Sequence, residues 1–494
     1  MTSEQALPCG IPWQERLRAS PRDFRCHIIG IGGAGLSAIA AVLFERGCTV
    51  TGSEPSPGPA TNELSRRDIT VLTVQDGRFL RTLSKAARPH VILRSSAVPW
   101  RNAEWAAARD LGLPVVTREA FLPAMLAGKQ VTAVAGTHGK STVTAMCAWM
   151  LQASGVKAGH IVGARHPDLP GGRDGQGPLF VIEADEYDRM FLGLRPTVAV
   201  VTSMEWDHPD CYRSFGELRT AFTAFAGRMQ PGSTLIYHAD DRNLREWVGG
   251  GLVGPAQLVG FGTHPSADWI TEAPGSPEGS AMTLRERATG AAHKLRLQAP
   301  GAHARANAAA AWLAARASGG GPEAITAAAA SYRALDRRFE IRSTAAGIVL
   351  VDDYAHHPSA IRATLSAARH RFPHGTLWAV FQPHTYSRTA ALRPEFGNAF
   401  AQADRVLILP TFAARETPAA GMDGAALSKQ VVHSHVLHAG SFDEASVHLA
   451  KRLHTGDAVI LMGAGDIPRL TDKLTAALAQ NPPPSRNVAA CGVK

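Results

Sequence analysis

Cysteine is sparse and scattered in this 494-residue chain: Cys9, Cys26, Cys48, Cys147, Cys211 and Cys491 form no C-x-x-C pair. That spacing excludes a zinc-ribbon or dithiol redox design and predicts reduced thiols in a cytoplasmic protein. Aromatic residues reach only 6% while Ala, Gly and Val are plentiful, a balance that favours α/β layers over a β-sandwich. No apolar run approaches the length of a membrane span. The opening "MTSEQALPCGIPWQER" lacks the charged-then-apolar layout of a signal peptide. Basic runs and Arg-rich arms are missing too, although 51 basic against 42 acidic residues give a net charge of +9. A scattered positive surface attracts anions in general, which points away from nucleic acid and towards anionic small molecules such as nucleotides.

What is present is strand–turn–helix alternation in three blocks. Residues 26–29 read as a buried strand, and Gly30, Gly32, Gly33 and Gly35 follow. A helix then carries Leu36, Ile39, Ala40 and Leu43 on one face. This first ordered element fits G-x-G-x-x-G, and Glu54 ends the next strand where an acidic residue meets a ribose in dinucleotide folds. The motif serves NAD, or any diphosphate held at a helix N-terminus. The second block begins near Lys129 with a strand over 131–135 and a helix from about Lys140, striped by Val143, Met146, Cys147, Met150 and Leu151. A Gly- and Pro-rich loop over 163–178, two further strands and an Ala-rich helix over 303–317 carry it to about Leu335. The third block has four strands separated by helices, one starting at Pro358 with Ile361, Leu365 and Ala368 on one face. The expected fold is α/β in three consecutive domains: an extension over 1–23, Rossmann-like 24–127, a P-loop-type ATP-binding unit over 128–335, Rossmann-like 336–479, and a disordered tail over 480–494.

The stretch "VTAVAGTHGKST" ends like a phosphate-binding loop, yet Val134 stands where the common pattern has its first glycine. In an open parallel sheet the C-terminal strand ends share one edge, where ligands sit. Three such ends deliver the turn with Lys140 and Ser141, then Glu183, then His208. A lysine and amides for phosphate, a hydroxyl and a carboxylate for Mg²⁺, and a nearby imidazole compose an ATP–metal site. Each part alone has a plain structural reading, Ser141 as a helix cap and Glu183 as a strand-end charge. Their joint placement favours the site.

"GTHGKST", "EADEYD" and "MEWDH", in this order, resemble the Mur ligases, the ATP-dependent amide-forming enzymes of peptidoglycan synthesis. The family spells its loop G-T-x-G-K-[ST], which accounts for Val134. The resemblance runs over residues 24 to 470, and "HIIGIGGAGLSAIA", "SSAV", "DDYAHHPSAI", "FQPHTYSRT" and "GAGDI" are similar to the alanine-adding branch. It implies a ligase that joins L-alanine to the lactyl carboxylate of UDP-N-acetylmuramate through an acyl phosphate. ATP and two Mg²⁺ ions, with Mn²⁺ as a substitute, are the implied cofactors, and a monomer or weak dimer the implied state. By matching position, Gly30, Gly32, Gly33, Gly35, Ser95 and Ser96 would bind the UDP-sugar. Gly136, Thr137, His138, Gly139, Lys140, Ser141 and Thr142 would hold the ATP phosphates, and His303, Asn307, Arg338 and Asp353 the rest of ATP. Ser141 and Glu183 would share one metal and His208 the second, while Tyr354, His356, His357 and Arg388 would meet the amino acid. Lys140, Glu183 and His208 are the implied catalytic residues.

Departures from the family pattern stand at Ala304, after the adenine histidine, at Thr385, where many relatives have arginine, and at Ala334 and Asp336 in the hinge. No lysine occurs between Lys157 and Lys294, where later-acting ligases carry a carbamylated one. Two alternatives stay open: a ligase that recycles preformed tripeptide onto UDP-N-acetylmuramate, and a non-catalytic nucleotide-binding regulator. A dehydrogenase is a distant third.

Overall fold

A computed structural model describes residues 12–255, 257–273, 281–414, 416–418, 421, 423–480 and 484. The expected tail, apart from Gln480 and Pro484, and residues 1–11 of the expected extension lie outside the described residues.

The first ordered element is not the glycine-rich strand but a short helix, Trp13–Ala19. Trp13 and Leu17, one turn apart, bury themselves, and the Trp13 ring stacks on Phe121 with centroids 5.4 Å apart. The first sheet follows, built from β1 (Arg25–Ile29), β2 (Thr49–Ser53), β3 (Thr70–Leu72), β4 (Val91–Arg94) and β5 (Val115–Val116) in the order β3-β2-β1-β4-β5. All its pairings are parallel. Alternate residues of β1 serve opposite faces: Cys26 and Ile28 pack with Leu36, Ile39 and Leu43 of the helix Ala34–Glu45, and Ile29 packs with Ile92 and Leu80 on the other side.

The second sheet has ten strands: β6 (Gln130–Ala135), β7 (Gly159–Ile161), β8 (Gly172–Arg173), β9 (Leu179–Glu183), β10 (Val198–Val201), β11 (Thr234–His238), β12 (Gln257–Gly262), β13 (Trp269–Glu272), β14 (Ala281–Glu286) and β15 (Ala292–Arg296). Its order is β15-β14-β13-β12-β11-β10-β6-β9-β7-β8. The parallel centre places the ends of β9, β6 and β10 side by side, with Val134 opposite Glu183 and Ala135 opposite Val201. Antiparallel pairs at the two margins, β13–β14–β15 and β7–β8, extend it beyond the alternation read from the sequence. The helix Lys140–Ala153 buries all five residues of its expected apolar stripe against the Ala-rich helix Ala302–Ala317. Alanine along the second helix lets the two axes approach closely.

The third sheet consists of β16 (Glu340–Ala345), β17 (Ile348–Asp353), β18 (Leu377–Phe381), β19 (Arg405–Ile408), β20 (Val436–His438) and β21 (Ala458–Met462), ordered β16-β17-β21-β18-β19-β20. Only the β16 edge is antiparallel. Two apolar clusters cover its faces, one holding Ile361, Leu365 and Ala368 of the helix Pro358–Arg371. The chain enters this sheet through Arg337 (φ 59°) and Phe339 (φ 51°), two non-glycine residues in the left-handed region on either side of Arg338.

Candidate active site

The turn after β6 is shaped by two glycines at positive φ, Gly136 (+123°) and Gly139 (+82°). A Cβ at Gly136 would collide with Thr202, and one at Gly139 would lie 2.5 Å from Asn307 Oδ1. Thr137 N–H donates to Ser203 O (3.1 Å) and His138 N–H to Ser203 Oγ (2.9 Å), which ties the turn to the end of β10. The helix starts at Lys140, so its first-turn N–H groups, with Ser141 and Thr142 among them, have no intrahelical acceptor and face the turn. That is the electrostatics an anion needs.

Lys140 Nζ donates to Gly136 O at 2.9 Å and to both oxygens of Glu186, at 2.8 and 2.7 Å. Burial works against its charge, but Glu186, Asp185 and Glu183 outweigh it and hold the ammonium above its ordinary range. Glu183 Oε1 accepts from Ser141 Oγ (3.0 Å) and Oε2 from Gly163 N–H (2.9 Å). Its burial pushes the carboxyl up despite Lys140. Three carboxylates around one lysine leave an excess of negative charge, and the Ser141–Glu183 pair supplies hard oxygen donors. The donor set fits a Mg²⁺ ion there.

His208 adopts φ 56° and places Nε2 3.8 Å from Glu186 Oε1. Its Nδ1 lies 3.4 Å from Arg388 Nη2. Arg388 is itself buried and donates from Nε to Asp207 Oδ1 at 2.7 Å, joining the C-terminal sheet to the central one. Burial would raise the Asp207 carboxyl, but His208, Arg388 and His356 keep it well below the usual carboxylate range. His356 Nδ1 bonds Tyr354 O (2.9 Å), and Nε2 faces Asp207 at 4.0 Å. Burial, helped by Arg388, holds the His356 imidazole well below its usual range. The guanidinium groups of Arg337 and Arg338 each lie 5.1 Å from the Tyr354 ring centre.

These groups line a 720 Å³ cleft bounded by all three sheets' domains, with Ala34 and Ser37 from the first, Lys140, Ser141, Glu183 and His208 from the second, and Tyr354, His356 and Arg388 from the third. Beside it a 310 Å³ cavity is walled by Gly139, Thr142, His303, Asn307, Arg338 and Asp353. Ala304 is part of that wall, so the departure from the family's asparagine leaves an apolar patch there. Burial lowers the His303 imidazole below its usual range, against the pull of Asp353. Asp353 accepts from Phe339 N–H and Ala355 N–H, both at 2.8 Å, so it also fixes the hinge.

Two groups of expected residues stand elsewhere. His357 does not line the cleft: it caps the helix Pro358–Arg371 and turns its ring to His138, 4.8 Å away. The cause is local, since a residue before Pro358 is held extended and its ring folds back on Ser359 N–H. In the first domain, Gly30 (φ +80°) packs against Ser95, with Ser96 next in the chain, and Gly33 precedes the helix Ala34–Glu45 as its cap. Gly32 N–H donates to Glu54 Oε2 at 3.3 Å, so a carboxylate already covers this turn. A Cβ on Gly35 would meet Arg118, whose guanidinium lies 3.7 Å from Asp185. Glu186, Asp207, Glu205 and Arg118 carry no role in the sequence reading. "EADEYD" and "MEWDH" displayed the first three, but nothing in the linear order says which acid meets the lysine.

Family models cover this chain in three consecutive stretches: residues 25–130 match the Mur ligase family catalytic domain, 134–315 the Mur ligase middle domain and 337–465 the Mur ligase glutamate ligase domain. The chain belongs to the Mur ligase family. Within it, the chain is 36% identical over 459 residues to UDP-N-acetylmuramate–L-alanine ligase of Mycolicibacterium vanbaalenii, covering 92% of this chain and 96% of that one. Among solved structures it superimposes on UDP-N-acetylmuramate-alanine ligase of Thermotoga maritima with a TM-score of 0.74 at 24% identity, over 92% of this chain and 99% of the other. A murein peptide ligase from Psychrobacter arcticus gives 0.68 at 24% identity with the same coverages. The two structural likenesses establish the fold.

Proposed function

We infer that this protein joins L-alanine to the lactyl carboxylate of UDP-N-acetylmuramate at the expense of ATP, a step in building peptidoglycan precursors. The observation that carries the reading is the placement of Lys140 and the Ser141–Glu183 pair on adjacent strand ends at one cleft reached from three domains. The relatives' shared activity gives the substrate class. In this assignment residues 24–127 hold the UDP-sugar through the Gly30–Gly35 turn, 128–335 hold ATP, and 336–479 close over both.

The phosphate turn and Lys140 receive the triphosphate, with the adenine in the cavity of His303 and Asn307. ATP binding requires Lys140 to exchange part of its pairing with Glu186 for phosphate oxygens. The lactyl carboxylate then attacks the γ-phosphorus, ADP leaves, and the amine of alanine displaces phosphate from the acyl carbon. Mg²⁺ at Ser141 and Glu183, with a second ion near His208, supplies charge neutralisation for the meeting anions when bound. Arg388 and His356 line the cleft where the amino acid's carboxylate and amine enter. The Asp207–Arg388 pair holds the C-terminal domain down, which keeps water from the acyl phosphate. Incubation with ATP, Mg²⁺ and UDP-N-acetylmuramate tests the assignment, with phosphate release and product mass followed together. The alanine adduct supports it; a product with tripeptide alone moves the chain to the recycling type; no phosphate with any amine overturns it.

A further inference from the structure

His138 of the phosphate turn, which also lines the cleft, and His357 of the third domain, which does not, meet over Glu205. His138 Nε2 lies 2.8 Å and His357 Nδ1 3.4 Å from the same oxygen, Glu205 Oε2. One donor atom from each of the three side chains lies within 4.8 Å of the others, the only such His/Cys/Asp/Glu group found among the described residues. A tetrahedral ion with bonds of about 2.0–2.1 Å sets its donors roughly 3.3 Å apart. The His357–Glu205 separation already matches that edge, and the His138–Glu205 one must widen by about half an ångström.

The neighbours orient these donors. His357 Nε2–H donates to Trp206 O at 3.3 Å, which leaves the ring's lone pair on Nδ1, and Ser359 Oγ donates to Glu205 Oε2. A ring N–H on a backbone carbonyl and a hydrogen-bonded carboxylate are the outer partners that metal ligands usually have. Ser359 N–H donates to His357 Nδ1 (3.3 Å) and Ser359 Oγ stands 2.7 Å from the same nitrogen, so its one hydroxyl proton serves either Nδ1 or Glu205; an ion on Nδ1 displaces the N–H and leaves that proton to Glu205.

We propose that His138, Glu205 and His357 bind a borderline transition-metal cation, Zn²⁺ by its donor set, separate from the oxygen-rich magnesium position at Ser141 and Glu183. Two imidazoles and one carboxylate suit zinc, whereas magnesium prefers oxygen and water. His138 and Glu205 belong to the central domain and His357 to the third, so the complete site exists only when the domains are closed, and the ion pins the phosphate turn to the closing domain.

The test is a Co²⁺ titration of the metal-free full chain in saturating Mg²⁺, with Zn²⁺ as competitor. The expected result is a single equivalent with the visible absorption of four-coordinate cobalt, displaced by Zn²⁺. His357→Gln and Glu205→Gln should each weaken it by more than about tenfold, while His208→Gln leaves it in place. The two substitutions lie in different domains, and thermal unfolding identifies which variants are folded, so one misfolded variant leaves the other to decide. Absence of the absorption in the unaltered chain overturns the proposal, as does binding that survives the folded variants of this pair or disappears with His208→Gln.

Discussion

Replacing Lys140 by methionine separates the role proposed for the lysine towards ATP from its part in the fold. Methionine keeps the length and apolar stem, so packing changes little, but Glu186 loses the ammonium that pairs with both of its oxygens. Glu186 is 1% exposed, and its oxygens lie 2.8 and 2.7 Å from Nζ. Stranding a buried charge of this kind costs about 3–5 kcal/mol. At about 2–4 °C per kcal/mol for a domain of this size, a loss near 3 kcal/mol lowers the unfolding midpoint by roughly 6–12 °C. Lys140→Met combined with Glu186→Gln removes both charges and should recover most of that loss, while phosphate release stays abolished in both variants. The assay is thermal unfolding of the nucleotide-free protein beside a phosphate-release measurement. A double variant no more stable than Lys140→Met, or a single variant with an unchanged midpoint, would refute the reasoning that the pair is a buried, mutually compensating ion pair.

Other consequences follow from the same geometry. Gly139→Ala adds a Cβ 2.5 Å from Asn307 Oδ1 at φ +82°, a strain of about 1–2 kcal/mol from the backbone alone; ATP binding by calorimetry should fall at least about tenfold. Glu183→Gln should abolish the Mg²⁺-dependent rise in unfolding temperature while removing a destabilised buried charge from the metal-free protein. His357 is held down to about 4 from 6.5, first by burial and then by His138. Its folded form therefore binds fewer protons than the unfolded chain, and stability is lost as pH falls from 6.5 towards 4. His357→Gln should flatten that part of a stability–pH profile, and an unchanged slope would count against the assignment. Glu205, lowered to about 2 by His138 and Ser359 against its burial, loses its contribution only further down, as pH falls below 4.5.

The parts legible from the sequence are those fixed by local chemistry. The turn after β6 needs glycines at positive φ, and Gly136 and Gly139 stand there; the helix begins at Lys140 as its apolar stripe requires. Parallel strand ends put Glu183 next to that turn once β9 pairs with β6. The helix Trp13–Ala19 was not legible because its two buried residues gain their partner only at Phe121, far along the chain. β13 to β15 were equally hidden, since their polar alternation resembles loop until β14 pairs with both neighbours. Side-chain partnerships were the least readable. Lys140 meets Glu186, not Glu183, across 46 residues, and Arg388 meets Asp207 across 181. His357 sits beside His356 in sequence but faces Trp206 and Glu205 rather than the cleft, because it caps the helix that Pro358 begins.

The central claim is that the carboxylate of the muramic acid is activated by phosphate before the amine attacks. Its most direct test is a turnover with UDP-N-acetylmuramate carrying heavy oxygen in the lactyl carboxylate, ATP, Mg²⁺ and L-alanine, followed by mass analysis of the released phosphate. An acyl phosphate predicts that one labelled oxygen passes from the carboxylate to each phosphate released with product. Phosphate free of label, beside a normal yield of the alanine adduct, would contradict the account.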